Sequence, residues 1–372
     1  MNREELRDYR RQNVPLFNAQ KLKLGIFALN CSGGSVITTA PTDRQVTWDY
    51  NRSVVRLADA LGMEMALPIG RWKGQGGPSN HNGTNFDVYT WAAGMAEATD
   101  NIMCFATSHV SLTHPVVAAK QAATIDHISN GRFGLNVVMG WFRDEMAMFG
   151  TGLREHDDRY RYGEEWLTIV KRLWTDTDPF DVESAYFNLA ALESSPKPIQ
   201  KPGPVLVNAG TSPAGIDFTA RNVDVSFASP SKPDDLDRLR LVTEKADREY
   251  GRDVALMCSA LVVCRDTEAE ARAAFQDILD KGDWIAARNM MTTLGLESGS
   301  FKEGVDERAR RFVAGYGTNP LVGTPEQIVD QLADYSRRGV HGVVFYFADY
   351  LTELAYFGER VMPLLKQTGL RH

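Results

Sequence analysis

The chain has 372 residues, of which 43% are hydrophobic and 24% charged, and its formal net charge is −7. This is the composition of a globular protein with a substantial core, and the negative balance excludes the basic surface that nucleic acid or an anionic membrane would need. No apolar run approaches the roughly 18–20 residues of a membrane span, and the opening Met1-Asn-Arg-Glu-Glu-Leu-Arg-Asp8 lacks the hydrophobic stretch of a signal peptide.

Short apolar, β-rich runs alternate with amphipathic stretches along the chain. Strands are predicted at Leu22–Leu29, Met63–Ile69, Ile102–Ser108, Phe133–Met139, Pro204–Ala209, Val223–Ala228, Ala255–Val263 and Gly342–Phe347. Helices are predicted near Trp48–Leu61, Val88–Ala98, Pro115–Ile128, Asp158–Trp174, Ser212–Arg221, Pro233–Tyr250, Thr267–Lys281 and Pro325–Arg338. This repeated β–α alternation predicts a parallel sheet closed into a (β/α)8 TIM barrel, in one domain spanning residues 1–372. The other solution, an open doubly wound sheet, wants a Gly-x-Gly-x-x-Gly turn after an early strand, and none is present. The glycine-rich Lys73-Gly-Gln-Gly-Gly77 leads into polar loop rather than into a helix.

Local punctuation supports these divisions. Thr324-Pro-Glu-Gln327 supplies the residues of a capping box with proline in the first turn, and Ser129-Asn-Gly131 reads as a helix stop. Two insertions break the rhythm, one over about Arg71–Asp87 after the second strand and one over about Gly282–Leu321 before the last helix–strand pair. Long connections in a compact domain tend to be lids or binding loops. The first insertion lies on the strand-to-helix side, where barrels build their active sites, and is expected to line the substrate side. Cys31, Cys104, Cys258 and Cys264 are scattered, with no Cys-x-x-Cys pair. That spacing suits core packing in a cytoplasmic protein better than disulfides.

Polar residues collect at the predicted strand ends. The third strand carries Thr107 and Ser108 and is followed by His109; the fourth contains Asn136 and leads into Trp141 and Glu145. The second leads into Gly70, Arg71 and Trp72, and the fifth is followed by Gly210-Thr-Ser212 at a helix start. An amide inside an apolar strand costs roughly 1–3 kcal/mol if unpaired, so Asn136 must meet either neighbouring backbone or a ligand. No His or Cys cluster has metal-ligand spacing, and no Gly-x-Ser-x-Gly elbow is present. Amides, hydroxyls and aromatics with few acid–base groups suit the holding of a planar cofactor.

These residues carry a resemblance. The runs Ala119-Lys-Gln-Ala-Ala-Thr-Ile-Asp-His-Ile-Ser-Asn-Gly-Arg-Phe133, Asn136-Val-Val-Met-Gly-Trp141, His156-Asp-Asp-Arg-Tyr160, Ala209-Gly-Thr-Ser212, Leu321-Val-Gly-Thr-Pro-Glu326 and Tyr356-Phe-Gly-Glu-Arg-Val-Met-Pro363 resemble the bacterial luciferase-like flavin monooxygenases. Within that superfamily the chain is most similar to the pyrimidine, dimethylsulfone and alkanesulfonate monooxygenase group. The resemblance implies a barrel that takes reduced FMN from a separate NAD(P)H:flavin reductase and uses O2 to oxygenate a small organic substrate. It also implies a homodimer or homotetramer.

Carried over by residue, Gly70, Arg71, Asn136 and Glu145 match flavin-contacting positions, and Arg159, Tyr160 and Ser212 match positions that hold the flavin tail and phosphate. Thr107 and Asn136 match the pair that flanks the oxygen-reactive edge of the isoalloxazine in the pyrimidine enzymes, and they are the candidate catalytic residues. Trp72, His81, His109 and Trp141 are candidate substrate contacts. Each position has a plainer use: Arg159 as a surface ion pair, Ser212 as an N-cap, Glu145 as a solvated first-turn acid, the aromatics as core. Strand two ends Leu67-Pro-Ile-Gly-Arg71, and the insert Gly77-Pro-Ser-Asn-His-Asn-Gly-Thr84 follows; both depart from the relatives' pattern. Two other readings share the barrel, a deazaflavin (F420)-dependent oxidoreductase and a non-catalytic flavin-binding protein.

Overall fold

Eight parallel strands close on themselves in the computed structural model, which describes residues 1–42, 45–296 and 302–372. In chain order the strands are β1 (Lys23–Phe27), β2 (Met65–Leu67), β3 (Met103–His109), β4 (Phe133–Val138), β5 (Phe180–Glu183), β6 (Asn188–Leu192), β7 (Val205–Asn208), β8 (Val225–Ala228), β9 (Ala255–Cys264), β10 (Leu321–Gly323) and β11 (Gly342–Tyr346). The barrel runs β1-β2-β3-β4-β7-β8-β9-β11, and β11 returns to β1 in the register Lys23↔Gly342 to Ile26↔Phe345. That return pairing decides between barrel and open sheet. All the predicted strands are barrel strands, with ends within a few residues of those expected.

Three strands were not expected. β5 and β6 form a separate antiparallel hairpin, and β10 extends the sheet beside the far end of β9, Leu321↔Val262. β10 is too short to show a period, and β5 and β6 are short and mostly solvent-facing, with the Leu189-Ala-Ala-Leu192 run of β6 showing no alternation that marks a strand. The predicted helix over Pro233–Tyr250 is two, Asp235–Leu239 and Leu241–Tyr250, meeting at Arg240. The second insertion contains the helices Trp284–Thr293 and Lys302–Gly315, while its residues 297–301 lie outside the described residues. The predicted caps form as read: Thr324 and Gln327 make a reciprocal box, and Gly131, at φ +82°, turns the chain back so that its N–H reaches Asp126 O at 2.8 Å. All four cysteines are free and buried. Among the described residues no helix is long and apolar enough to cross a membrane.

Alternation along the strands divides the core in two. Met65 and Leu67, Met103 and Phe105, Val205 and Val207, Val225 and Phe227 pack inside the barrel, where Val14 and Leu16 join the cluster. Their neighbours in sequence, among them Ala66, Cys104, Ala106, Leu135 and Val137, pack outward against the helices. The inside is full at mid-height: a Cβ on Gly134 would lie 2.0 Å from the Phe105 ring. The next inward positions toward the C-terminal ends are Thr107 and Asn136, which the β3–β4 register sets side by side.

At the opposite end Glu64 and Arg371 form a buried ion pair at 2.7 Å. Glu64 also accepts the Leu24 N–H at 2.8 Å, and Arg371 also donates to Leu22 O at 3.0 Å, so the C-terminus is tied to β1. Arg371→Met would leave a buried carboxylate without its cation, which costs about 3–5 kcal/mol. Urea unfolding should register that loss; a loss below about 1 kcal/mol would mean the backbone and amide donors suffice for Glu64.

Candidate active site

A cavity of about 600 Å³ opens at the C-terminal ends of the barrel strands. Thr107 and Asn136 form its floor, both nearly buried. The Thr107 hydroxyl donates to Pro68 O at 2.6 Å and accepts from Asn136 Nδ2 at 3.3 Å. Its proton is therefore spent on backbone. Asn136 is the partner with capacity to spare, because its Oδ1 is buried without a hydrogen-bond partner. Leaving an acceptor dry costs on the order of 1–3 kcal/mol, so the position is shaped for something the protein itself does not supply.

Beside this pair the chain leaves β2 through Ile69, Gly70 and Arg71. Gly70 abuts β3 closely: a Cβ there would lie 2.9 Å from His109 Cε1 and from Thr107 O. The Arg71 guanidinium lies 4.3 Å over the Trp141 ring, and Trp141 stacks in turn on Phe142 with centroids 5.6 Å apart. Arg71 Nη1 donates to Gly70 O at 2.8 Å, while its Nε is buried and unpartnered. The charge is balanced by Glu145, fully buried, with Oε2 at 3.7 Å from Arg71. Glu145 Oε1 accepts the backbone N–H groups of Trp72 and Lys73 at 2.8 and 3.2 Å. The carboxylate thus pins the first insertion and neutralises Arg71 from behind; it is not part of the cavity wall.

The other end of the cavity is rich in donors. Ser212 caps the helix Pro213–Asn222 by accepting the Gly215 N–H at 3.1 Å. Arg159 reaches the same end, bonded to Gly140 O, with its Nε buried and unpartnered. Tyr160 lies across the turn so tightly that a Cβ on Gly210 or on Gly215 would come within 2.6 Å of its hydroxyl. Burial raises the Tyr160 pKa, opposed by the Ser212 hydrogen bond. Asn208, which the sequence reading did not single out, organises this corner. It donates to Val137 O at 2.6 Å and accepts from Gly210 N and Thr219 Oγ1 at 2.8 and 2.9 Å. A helix N-terminus, a free-armed arginine and a hydroxyl in one place make an anion cradle.

Of the residues expected at the site, Gly70, Arg71, Thr107, His109, Asn136, Trp141, Arg159, Tyr160 and Ser212 line the cavity, and Glu145, Trp72 and His81 do not. Trp72 is exposed and packs edge-on to Phe149. His81 is buried, 3.0 Å from the Tyr316 hydroxyl. The expectation that the first insertion lines the substrate side is corrected accordingly. Beyond Arg71 it buttresses the second insertion: Ser79 Oγ donates to Asp283 at 2.6 Å, and Asn289 Nδ2 donates to Gln75 O at 2.8 Å. The wall itself comes from Met290, Leu294, Leu296, Phe312 and Tyr316 of the second insertion, with Phe27 and Phe227 below. Only the apolar residues of that insertion could have signalled this, and they look the same as core.

The profile of the family described as Luciferase-like monooxygenase matches residues 22–342. The chain belongs to the luciferase-like monooxygenase family. Among relatives of this family, it is similar to an FMNH(2)-dependent dimethylsulfone monooxygenase of Pseudomonas putida, 31% identical over 94% of this chain and 96% of that one. It is also similar to a pyrimidine monooxygenase of a Bradyrhizobium species, 31% identical over 94% of this chain and 99% of that one. A solved riboflavin lyase with modified FMN and riboflavin has the same fold, with TM-score 0.84, 22% identity and coverage of 94% and 92%.

In this luciferase-like cavity His109 is neutral: burial, and secondarily Arg71, push its pKa down to about 3. The unfolded chain takes up that proton near pH 6.5. Stability held at neutral pH is therefore lost as pH falls from about 6.5 toward about 3, where the unfolded state binds the extra proton. Ring nitrogen shifts should remain those of a neutral imidazole from about pH 8 to pH 5, and His109→Asn should lose less stability over the acid range than the parent. A ring midpoint near 6.5 would show instead that His109 is hydrated.

Proposed function

We propose that the protein is a two-component monooxygenase, which receives reduced FMN from a separate NAD(P)H:flavin reductase and uses O2 to oxygenate a small organic substrate. The residues present fit the cofactor. The observation that carries this reading is the pairing, in one cavity, of an unpartnered amide oxygen on Asn136 with an anion cradle at Arg159, Tyr160 and Ser212. An amide faces one end and phosphate-type donors the other, as a flavin mononucleotide requires. Bound reduced FMN supplies the two electrons with which one oxygen atom of O2 enters the substrate and the other leaves as water.

The side chains then divide the work. Arg159 and the capped helix end bind the phosphate, charge against charge. Thr107 holds Asn136 by accepting from Nδ2, so the second Nδ2 hydrogen and Oδ1 are fixed in direction before any ligand arrives. Preorganised donors of this kind stabilise charge that develops during reaction. Neutral His109 gives or takes a hydrogen bond without placing a second cation beside Arg71. Trp141 and the apolar wall of Met290, Leu294, Phe312 and Tyr316 exclude water. The preferred substrate is an N-heterocyclic or cyclic amide ring, because the Thr107–Asn136 pair matches that of the pyrimidine enzymes, with a sulfone or sulfonate next. The protein acts in the cytoplasm as one barrel domain that assembles into a homodimer or homotetramer.

Asn136→Ala should leave the fold intact and lower oxygenated product by about 10²-fold or more when reduced FMN is supplied. Turnover equal to the parent would remove Asn136 from the reaction. Anaerobic titration should give tightest binding for reduced FMN, ahead of oxidised FMN and of the deazaflavin, and Arg159→Met should weaken FMN about tenfold or more while changing riboflavin affinity little. Preference for the deazaflavin would turn the assignment to a hydride-transferring oxidoreductase.

A further inference from the structure

We propose that the N-terminal end of the barrel carries a second binding site, for a small amphipathic carboxylate of about the size of benzoate. A cavity of about 310 Å³ lies there, between the helix Arg3–Asn13, the helix His156–Thr175 and the turns that lead into β7, β8 and β9. It is at the other end of the strands from the flavin cavity. In barrels that end is ordinarily reserved for stability, so a built site there is outside the family's reaction.

Its walls are mostly apolar, from Leu6, Trp174, Pro204 and Leu206, but its polar groups are nearly all donors. Three cations, Arg10, Lys171 and Arg252, face one carboxylate, Asp224. Asp224 is saturated. Its Oδ1 is shared by Arg10 at 2.9 Å and Arg252 at 3.2 Å, and its Oδ2 accepts the Leu206 N–H at 2.9 Å. The neighbouring Glu164 is committed to Arg221 at 2.7 Å. Lys171 donates to a neutral acceptor, Asn222 O at 2.7 Å, and Asn222 Nδ2 is buried with no hydrogen-bond partner among the described residues. Burial, and after it the nearby Arg252, push the Lys171 pKa down to about 8, against the opposing pull of Asp224 and Glu164.

Three half-buried cations around one saturated carboxylate, an unspent amide donor and an apolar slot describe one ligand chemistry. A carboxylate head would take the Lys171 ammonium and the Asn222 amide, and a flat apolar body would lie along Trp174 and Leu206. The volume is at the low end for small-molecule sites, which bounds the body to about one ring. An inorganic phosphate would satisfy the cations but leave the apolar walls wet, and a neutral ring would bring no counter-charge to Lys171.

Calorimetric titration of the full chain at neutral pH tests this with sodium benzoate, benzyl alcohol and inorganic phosphate as probes. Benzoate should bind saturably at one site, at least tenfold more tightly than either of the others. Lys171→Met and, independently, Asn222→Asp should each weaken benzoate at least tenfold while keeping the parent's circular dichroism and monooxygenase turnover. Arg159→Met, at the opposite end of the barrel, should leave benzoate affinity unchanged. Absence of saturable binding, equal affinity in the Lys171 and Asn222 variants, or loss in Arg159→Met would overturn the proposal, the last by moving the ligand to the flavin cavity. Phosphate or benzyl alcohol binding as tightly as benzoate would overturn the amphipathic assignment.

Discussion

Side chains alternate between the faces of a strand, and closure of the sheet turns one of those faces into an enclosed interior. Most of what this protein can do follows from that constraint. On β3 the inward series runs Met103, Phe105, Thr107, His109, and on β4 it runs Gly134, Asn136, Val138. The lower members fill the barrel, with the Phe105 ring occupying the space that a Gly134 side chain would need. The upper members have nothing above them and become the cavity floor. A slip of one residue in the β3–β4 register would turn Asn136 toward the helices and leave a helix-facing residue inside, so packing and site geometry are specified together.

The electrostatics of the floor are arranged so that a buried arginine can be kept without an ion pair in the cavity itself. Removing Arg71 from water is costly unless the charge is compensated. Glu145 does so from the side away from the cavity, the Trp141 face from another, and Gly70 O accepts one Nη hydrogen. Glu145 and Trp141 both lie on the segment that follows β4, so the neutralisation also ties the exit of β2 to that segment. Because Glu145 also takes two backbone N–H groups of the first insertion, the same carboxylate sets both a charge and a loop. His109 stays neutral chiefly because it is buried, and the Arg71 charge adds to the effect.

The barrel was legible in the sequence because its signals are local. β-rich runs bounded by Ser-Asn-Gly and Thr-Pro-Glu punctuation locate the strands to within a few residues, and an amide in the apolar run of β4 marks the floor. What lay hidden depends on contacts distant in sequence. Nothing near Glu145 says that its partners are 72 and 73 residues earlier, and an acid in a first helical turn reads as solvated. Trp72 and His81 look like site residues from their spacing, yet one packs on Phe149 outside and the other behind Tyr316. Met290 and Phe312 read as ordinary core, and only the fold of the second insertion carries them over the cavity. The donors at the N-terminal end of the barrel were equally silent, because Arg10, Lys171 and Arg252 are spread over more than two hundred residues.

The division between strands and insertions explains how one cavity can hold a constant cofactor against a variable substrate. Of the groups suited to flavin, Arg159 reaches in from the helix His156–Thr175, but Gly70, Thr107, Asn136 and Ser212 sit at strand ends or just after them. Their positions are set by the barrel ladder, where a shift of one residue would be ruinous. The facing wall belongs to a segment held outside the barrel ladder, against the first insertion by the side-chain bonds of Ser79 to Asp283 and Asn289 to Gln75 and against the connection after β1 by backbone bonds such as Ile37 N to Val313 O. Such bonds tolerate exchange of the apolar residues between them. Relatives about 30% identical along nearly the whole chain can therefore act on a sulfone in one case and a pyrimidine in another. In this chain Met290, Leu294, Phe312 and Tyr316 close the cavity from the side that the ladder does not constrain.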